Sequence, residues 1–332
     1  MAMSQLDDLA SAARAWRPTA EDWRAWHIFF QSVDTLDRML VEGLLPEVRS
    51  LGSGVEFFFL RYWENGPHIR ARFRGLDDEQ FLALGDRLRL SAESIIATTP
   101  STLEQPPTGH PTASWQNNPR MIRFAPGKTV EIMYEPEFRR YGGRHGLSVN
   151  EHLFDASSRL ALVIIEKTMA APERRTNIAL TLTATAIAQV VTDRDQLTEF
   201  LQVMKEQWRS YLSDATAAEE QAQRSFSAAS DELRAMVSVN CLPSSASKLQ
   251  PLAERWRQIL APHFSEMRAL AADRLLVHPL TGIPAEGPDQ LEAALQNIML
   301  SQIHMMNNRL GIVPQQEFLF ASILLLALAS LS

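Results

Sequence analysis

The first half of the chain contains short runs in which apolar and polar residues alternate with the period of a β-strand. The runs VEFFFLRYW (residues 55–63) and HIRARF (68–73) are separated by Glu-Asn-Gly-Pro, and Asn-Gly is typical of tight hairpins. An earlier run, WHIFFQS (26–32), has the composition of another strand. We therefore predict an antiparallel pair over 55–63 and 68–73 within a sheet.

Helical spacing of apolar residues appears between and after these strands. The segment DRMLVEGLLPEV (37–48) follows possible N-caps at Asp34 and Thr35, and Pro46 is expected to end or kink its helix. A second helix is predicted over 77–97, capped by Asp77 or Asp78.

A proline-rich loop is predicted from Pro100 to Pro119. The runs MIRF (121–124) and VEIMY (130–134) predict another strand pair, and YEPEFRRYGG (134–143) follows as an irregular segment that ends in glycine.

From about Ser148 onward the pattern becomes helical. The stretch from Ser213 to Ser247 is rich in Ser and Ala and is predicted to be a mobile helix and linker, and 278–288 is predicted to be a loop before a final helix pair. The other predicted helices cover 149–169, 175–191, 196–212 and 254–276.

These patterns predict an α+β fold, in which an N-terminal antiparallel sheet with flanking helices is followed by a mostly helical C-terminal half. We expect a flexible segment over 1–23 and a single domain over 24–332. Its sheet-rich half would be 24–147 and its helical half 148–332.

Composition narrows the function classes. The 332 residues carry a formal net charge of -7, which favours neither nucleic acid nor an anionic membrane as a direct partner. The N-terminus lacks a signal-peptide pattern, and the apolar run at 318–331 is shorter than the roughly 18–20 residues that span a bilayer. We expect a buried closing helix there, and a cytoplasmic protein.

Several common kinds of site are not indicated by the sequence. Cys241 is the one cysteine, which excludes an internal disulfide and a cysteine zinc site; we expect it to be buried. Phosphate-binding glycine loops, HExxH and GxSxG are not found. We therefore expect neither a metal nor an organic cofactor.

Two arginines on one predicted strand are the first candidates for chemistry. Arg70 and Arg72 are two residues apart, so their side chains share a face at a Cα separation of about 7 Å, and Ile69, Ala71 and Phe73 face the other way. A pair of guanidinium groups suits a carboxylate or phosphate ligand. The alternative is a solvated face paired with acidic neighbours such as Glu56 or Glu64, and composition alone favours it.

Two later motifs add candidates. In RRYGG (139–143), Arg140 could be held rigidly beside the paired glycines, or the segment could be an ordinary loop. In SQIHMMNNRLG (301–311), His304 lies in a predicted helix, where a histidine among Met and Ile is more often packed in the core than catalytic.

Four segments together resemble the C-terminal domain family of class I lantibiotic dehydratases, which also includes stand-alone thiopeptide biosynthesis proteins. The resemblance runs from about Trp26 to the C-terminus. The four segments are FFFLRYWENGPHIRARF, YEPEFRRYGG, EHLFDASSRLAL and SQIHMMNNRLG.

The resemblance implies removal of glutamate from glutamylated Ser or Thr of a ribosomally made precursor peptide, which leaves dehydroalanine or dehydrobutyrine. Catalytic roles are implied for Arg70, Arg72 and Arg140, which would hold the glutamyl group and the enolate, and for His304, which would move protons in a direction left open. Substrate-binding roles are implied for Arg61, His68, Tyr141, Asn308 and Arg309.

The implied partners are the precursor peptide with its leader and a separate, tRNA-dependent glutamylation subunit, and a homodimer is possible. For one cleft to form, the helical half must fold back over the Arg70 and Arg72 face. If those groups lay far apart, the catalytic interpretation would fail.

Two other functions stay open. Thiopeptide pyridine synthases of the same family join two dehydroalanines in a formal [4+2] aza-cycloaddition, with loss of water and leader peptide, and close a macrocycle. A non-catalytic protein could instead bind the leader along an exposed strand edge. Because a cycloaddition of neutral groups does not need several arginines, the intact set of Arg70, Arg72, Arg140 and His304 favours elimination.

Overall fold

The computed structural model of the chain describes residues 23–30, 32–99, 124–242 and 248–331. The predicted flexible segment therefore lies outside the described residues, except for Trp23. The predicted loop from Pro100 to Pro119 and all of the MIRF run except Phe124 lie outside them as well.

The sheet has four antiparallel strands in the order β2-β3-β1-β4. The predicted hairpin of β2 and β3 is confirmed, and Asn65 and Gly66 at its turn have positive φ angles of 65° and 112°. The strands are β1 (Arg24–Phe29), β2 (Glu56–Tyr62), β3 (His68–Arg74) and β4 (Thr129–Glu131).

One face of the sheet builds the apolar core. Side chains alternate along each strand, so Phe57 and Phe59 of β2 share this face with Ile69 and Phe73 of β3, and all four are at most 1% exposed. They belong to a cluster that includes residues of the first helices and of the helical half. The other face carries polar and aromatic groups and forms the site described below.

The first helical unit runs unbroken from Val33 to Ser50 and begins before the predicted caps, with Ser32 at its N-cap position. It consists of α1 (Val33–Arg38), a π-helical turn (Met39–Leu44) and α2 (Leu45–Ser50). Of the two predicted effects of Pro46, an end of the helix is wrong, because the helix continues to Ser50. This proline lies in the first turn after the π-helical turn, where the hydrogen-bond register has already changed.

Helix α3 (Asp78–Ala97) begins with a capping box. The side chain of Asp77 accepts a hydrogen bond from the Gln80 amide at 2.8 Å, and the Gln80 side chain accepts one from the Asp77 amide at 3.2 Å. This reciprocal pair satisfies two amides that the helix itself leaves free, and it confirms the predicted start.

The second half is helical, as predicted. The stretch from Ser213 is more regular than a linker: two helices and a π-helical turn reach Cys241, because Ala222, Leu233 and Val237 are buried. The helices are α4 (Gly143–Thr168), α5 (Arg174–Ile187), α6 (Arg194–Arg209), α7 (Ala215–Ala228), α8 (Ser230–Met236) with the turn Val237–Cys241, α9 (Pro251–Ala272), α10 (Pro288–Leu310) and α11 (Pro314–Ala329).

Two predictions about apolar residues are confirmed. Cys241 is fully buried, and burial raises the pKa of its thiol to about 12. Helix α11 closes the fold as a buried helix, with Phe318 and Leu324 both at 0% exposure. Among the described residues, no helix combines the length and apolar character needed to cross a membrane.

The outer edge of β2 is paired with side chains instead of another strand. The amides of Phe57 and Phe59 donate to Asp155 Oδ1 at 3.0 Å and Ser158 Oγ at 3.3 Å, both on α4. The side-chain amide of Asn308 on α10 completes the edge, since it accepts from the Arg61 amide and donates to the Arg61 carbonyl, both at 2.9 Å. These bonds satisfy an edge that would otherwise be open and attach the helical half to the sheet.

A buried ion triad lies on the core side of the same strand. Asp37 contacts Arg61 and Arg175 through its two carboxylate oxygens, each at 2.6 Å, and Arg175 also donates to Thr168 Oγ1 at 2.8 Å. The Arg61 guanidinium donates in addition to the Arg309 carbonyl at 2.9 Å. The triad therefore joins the first helical unit, β2 and α5 to the end of α10.

Asp37→Ala should lower the free energy of unfolding by about 3–5 kcal/mol, because it leaves two buried guanidinium groups without their counter-charge. Urea denaturation measures the loss. The control is Asp86→Ala, which removes an exposed ion pair with Arg89 and should leave the midpoint almost unchanged. Equal midpoints for the two variants would contradict a structural role for the triad.

Candidate active site

The polar face of the sheet forms the floor of a cavity of about 590 Å³, and α10 with the segment 132–141 forms its walls. Arg70 and Arg72 line it, so the requirement that the helical half fold back over them is met. The wall and floor residues used below are His27, Phe58, Tyr62, Glu64, His68, Arg70, Arg72, Tyr134, Glu137, Arg140, Tyr141, Phe154, His304, Asn308 and Arg309.

Three arginines on this face of β3 differ in their acidic partners. Arg70 forms an ion pair with Glu64 at 3.2 Å. Arg74, two positions beyond Arg72, pairs with Glu56 and with buried Glu151. Among the described residues, no carboxylate lies within salt-bridge distance of Arg72. Both interpretations of the sequence, an anion site and a face paired with acidic neighbours, therefore apply to this strand. Arg70 and Arg74 are paired with acids, whereas Arg72 forms no salt bridge within the described residues.

Arg72 sits in an aromatic enclosure. Its guanidinium carbon is 5.0 Å from the Phe58 ring centre and 4.9 Å from that of Tyr134, and its buried Nε has no hydrogen-bond partner in the described part of the chain. Burial lowers the pKa of the guanidinium, and Arg70 lowers it further. This half-buried cation has only the aromatic π-faces and the more distant carboxylate of Glu137 to offset the hydration that it has lost, so an anionic ligand would be favoured there.

His68 holds Arg70 in place. Its Nδ1 lies 2.9 Å from the Gly66 carbonyl, to which it can only donate, so Nε2 is the acceptor for Arg70 Nε at 3.1 Å. Burial lowers the pKa of His68 to about 3. Tyr62 covers the other side of Arg70, with its ring centre 3.4 Å from the guanidinium carbon. Arg70 therefore has a fixed orientation.

His27 is a site residue that sequence reasoning missed. It pairs directly with Arg70 across β1 and β3, and its ring stacks on His68 at 5.2 Å. Burial is the main cause that lowers its pKa to about 2. The sequence offered one signal for His27, a polar residue within the apolar run WHIFF. Only the strand register, which pairs His27 with Arg70, assigns it to this face.

Arg140 and Tyr141 come from the RRYGG motif. Arg140 donates to Ser301 Oγ at 3.1 Å and pairs with Glu137 at 3.3 Å. Gly142 and Gly143 both have left-handed φ angles, of 86° and 84°, and a Cβ on either would meet Leu276 or Val277 at less than 3 Å. The two glycines let the chain turn directly into α4, and Tyr141 is thereby buried against Phe154.

Two of the tyrosines that line the cavity, Tyr134 and Tyr141, are kept neutral. Burial raises the pKa of Tyr141 to about 12. The pKa of Tyr134 is raised as well, first by burial and then by Glu151, to which its hydroxyl donates at 3.4 Å. Both hydroxyl groups can therefore donate hydrogen bonds over the whole physiological pH range. Tyr134 was not singled out from the sequence, where it reads as the last residue of a strand.

His304 forms a pair with a carboxylate. Its Nδ1 lies 2.7 Å from Glu317 Oε1, and the other carboxylate oxygen accepts from Asn307 Nδ2 at 3.1 Å. Glu317 is fully buried and His304 is partly exposed to the cavity. The ring of Trp208 lies 4.7 Å from the imidazole. With Nδ1–H donating to Glu317, Nε2 is available to exchange a proton.

Arg309 is the second incompletely paired cation of the site. It is 1% exposed; its Nε donates to the Phe59 carbonyl at 3.1 Å, but neither Nη atom has a partner in the described residues. Burial lowers the pKa of its guanidinium to about 9, with Arg72 acting in the same direction. Two cations with unused donors therefore share one cavity.

Nearly all predicted site residues meet in this cavity. Arg61 does not: on β2 it alternates with Leu60, faces the core side and belongs to the Asp37 triad. The register of the hairpin, in which Arg61 pairs with Ile69 and not with Arg70, sets it on the opposite face from Arg70 and Arg72. Asn308 lines the cavity, but its side-chain amide is used by the β2 edge. The residues that meet are Arg70, Arg72, Arg140, His304, His68, Tyr141, Asn308 and Arg309.

Residues 23–328 match the family model described as the C-terminal part of lantibiotic biosynthesis dehydratases. The chain belongs to this family. No curated protein matches the chain.

Solved structures share the fold at 16% identity. The pyridine synthase TbtD from thiomuracin biosynthesis superposes with a TM-score of 0.69 over 93% of this chain and 98% of that one. TsrL gives 0.63 over 92% and 93%. The tRNA-dependent lantibiotic dehydratase MibB from Microbispora sp. 107891 gives 0.52 over 92% of this chain and 28% of that one.

His27 and His68 should stay neutral from pH 8 to pH 5, whereas His152, whose pKa is raised by its hydrogen bond to Glu56, should become protonated. Imidazole nitrogen shifts in NMR spectra measure all three. Below the unfolded value of about 6.5, the unfolded state binds more protons at His27 and His68 than the folded state, so these two residues reduce stability as the pH falls. Titration of either one near pH 6 would contradict their burial.

Proposed function

We propose that this chain eliminates glutamate from glutamylated Ser or Thr residues of a ribosomally made precursor peptide, which leaves dehydroalanine or dehydrobutyrine. The observation that carries the proposal is Arg72, a half-buried cation that forms no salt bridge within the described residues, in a cavity that is also lined by His304 of the His304–Glu317 pair. Family membership supports a role in the modification of such peptides.

The unused donors suit an anionic leaving group. Burial of a cation is unfavourable unless an opposite charge accompanies it, and a guanidinium matches a carboxylate with two parallel hydrogen bonds. Arg72 and Arg309 both retain free donors, whereas Arg70 and Arg140 are already oriented by Glu64, His68, Glu137 and Ser301. The site can therefore bind the carboxylates of a glutamyl group without first breaking an ion pair of Arg72.

The elimination requires one proton transfer and one bond cleavage. Removal of the α-proton of the glutamylated residue forms an enolate-like charge on its carbonyl oxygen, which an arginine can stabilise. The electron pair then forms the Cα–Cβ double bond as the Cβ–O ester bond breaks, and glutamate departs with a carboxylate at the cleaved ester. His304 is the group that exchanges a proton, since Glu317 orients its ring and balances an imidazolium.

The proposed partners follow from this reaction. The substrate is a glutamylated peptide, so we expect a partner subunit that attaches the glutamate, and glutamyl-tRNA as its donor would place the reaction in the cytoplasm. The MibB comparison supports a division of labour, because the fold of this chain corresponds to 28% of that dehydratase.

Pyridine synthesis is the second candidate, favoured by the likeness to TbtD over nearly the whole of both chains. It joins dehydroalanines that carry no negative charge, and it gives no reason for an unpaired arginine beside Phe58 and Tyr134. Mass spectrometry distinguishes the two: loss of glutamic acid from a glutamylated peptide supports elimination. Loss of water and leader from a peptide that already contains dehydroalanines, with the first peptide untouched, supports the synthase. A scaffold would change neither mass.

Arg72→Met should reduce kcat for glutamate elimination by about 10²–10³-fold and leave the melting temperature unchanged or higher, because it removes a half-buried charge that forms no salt bridge within the described residues. Activity and thermal unfolding are measured on the same preparation. The control is Arg49→Ala, which removes an exposed pair with Glu166 and should retain full activity. A clear fall in melting temperature with activity retained would identify Arg72 as a structural residue.

His304→Gln should lower kcat by about 10²–10⁴-fold, the usual contribution of general acid–base catalysis. Glu317→Gln keeps the size of the side chain and should lower kcat by a smaller factor, because His304 loses only its orientation and charge partner. Single-turnover kinetics on a glutamylated peptide measure both. His152→Gln, at an exposed histidine outside the cavity, should retain activity; wild-type rates for His304→Gln would exclude a proton-transfer role.

A further inference from the structure

A second cavity, of about 620 Å³, adjoins the first. Pro136, Glu137 and Arg140 line both, so the two cavities share a wall. Its size is within the roughly 300–1,000 Å³ of typical ligand sites. None of the proposed catalytic steps takes place in this second cavity.

Arg139 builds the outer wall of this second cavity. Its guanidinium donates to the carbonyls of Pro279 and Leu280, with Nε 2.9 Å from the Pro279 oxygen. The loop over 278–283, which contains these two carbonyls, is also held by its own hydrogen bonds. The His278 amide donates to the Ile283 carbonyl and the Gly282 amide to the His278 carbonyl, both at 2.8 Å. The wall is therefore formed before any ligand binds. The two adjacent arginines of RRYGG serve two cavities: Arg139 shapes one and Arg140 separates it from the other.

The lining favours an apolar ligand that carries amide groups. Phe138, Leu280 and Leu300 provide apolar surface, and Gln207 and Asn297 provide uncharged hydrogen-bonding groups. The charged groups are already engaged, because Arg139 binds backbone carbonyls and Arg140 binds Glu137 and Ser301. Leu280 is 65% exposed, so its side chain is accessible to a ligand.

We infer that the substrate peptide extends from the catalytic cavity past Arg140 into this second cavity, where an apolar side chain close to the modified residue packs against Leu280, Phe138 and Leu300. The inference rests on the proposed function, since it takes a peptide as the substrate. A peptide continues on both sides of its reacting residue, and a preformed apolar cavity that shares Arg140 with the reaction site can receive one of these continuations. The second cavity thereby selects the sequence context of the Ser or Thr that reacts.

The test measures binding of labelled short peptides by fluorescence anisotropy. Their central residue is diaminopropionic acid acylated by glutamate, in which an amide replaces the reactive ester, so the peptide stays intact during the measurement. Leucine or aspartate is placed in turn at each of the three positions before and the three positions after this central residue. For at least one position, the wild-type protein should bind the leucine peptide about tenfold more tightly than the aspartate peptide, and Leu280→Gln, which removes the apolar contact without adding a charge, should abolish this preference.

The matched control is Leu82→Gln on α3, where a leucine of similar exposure, 53%, lies outside both cavities; it should keep the wild-type preference. Leu280→Ala, a milder change, should reduce the preference without abolishing it. An equal affinity for leucine and aspartate peptides at all six positions, or a preference that survives in Leu280→Gln, would overturn the inference.

The proposed function is tested separately, with an N-acetylated, amidated serine that carries glutamate as an ester. This substrate has no flanking residues to reach the second cavity. If the wild-type protein leaves it and longer glutamylated peptides intact, elimination is excluded, while the binding preference still reports on the second cavity. If the glutamylated serine is consumed but no binding preference is found, the proposed elimination stands, and the inference that the peptide extends into the second cavity is wrong.

Discussion

The pairing of the β2 edge with side chains of α4 and α10 is the interaction on which the site depends. Asp155, Ser158 and Asn308 bond to the backbone of a strand whose outer edge would otherwise be open. The same bonds fix the height at which α10 crosses the sheet. The helix thereby brings His304 and Arg309 to the cavity whose floor carries Arg70 and Arg72. Without this attachment the polar face of the sheet would lie open to water.

Enclosure of that face changes what its charges can do. On an open surface, three arginines spaced along one strand would be solvated and weakly coupled to their neighbours. Under the helical half, Arg74 and Arg70 keep carboxylate partners. Arg72 instead lies beside the rings of Phe58 and Tyr134 and forms no salt bridge within the described residues. The free energy that this costs the free protein would be recovered when an anion binds, which is a reason for such a residue to persist in a site for a carboxylate leaving group.

The fold alone does not distinguish the chemistries found on it. Structures described as a pyridine synthase and as a dehydratase share this architecture at 16% identity, so the distinction must lie in individual side chains. Unpaired Arg72 and Arg309 and the His304–Glu317 pair favour an acid–base reaction with an anionic product. In the proposed reaction, the adjacent cavity behind Arg140 would receive a side chain next to the reacting residue.

Local patterns in the sequence determined much of the fold. The hairpin, its alternation and the α3 cap depend on neighbours a few residues apart, so the strands, most helix positions and the common face of Arg70 and Arg72 could be predicted. The face that Arg61 occupies depended on the register of the hairpin, because Arg61 pairs with Ile69 and not with Arg70. Tertiary structure alone decided which groups meet across more than 200 positions, as Arg61 and Asn308 do, and which arginine keeps no acidic partner. Periodicity records which side of an element a residue faces, whereas burial and ion pairing depend on what the rest of the chain places opposite that side.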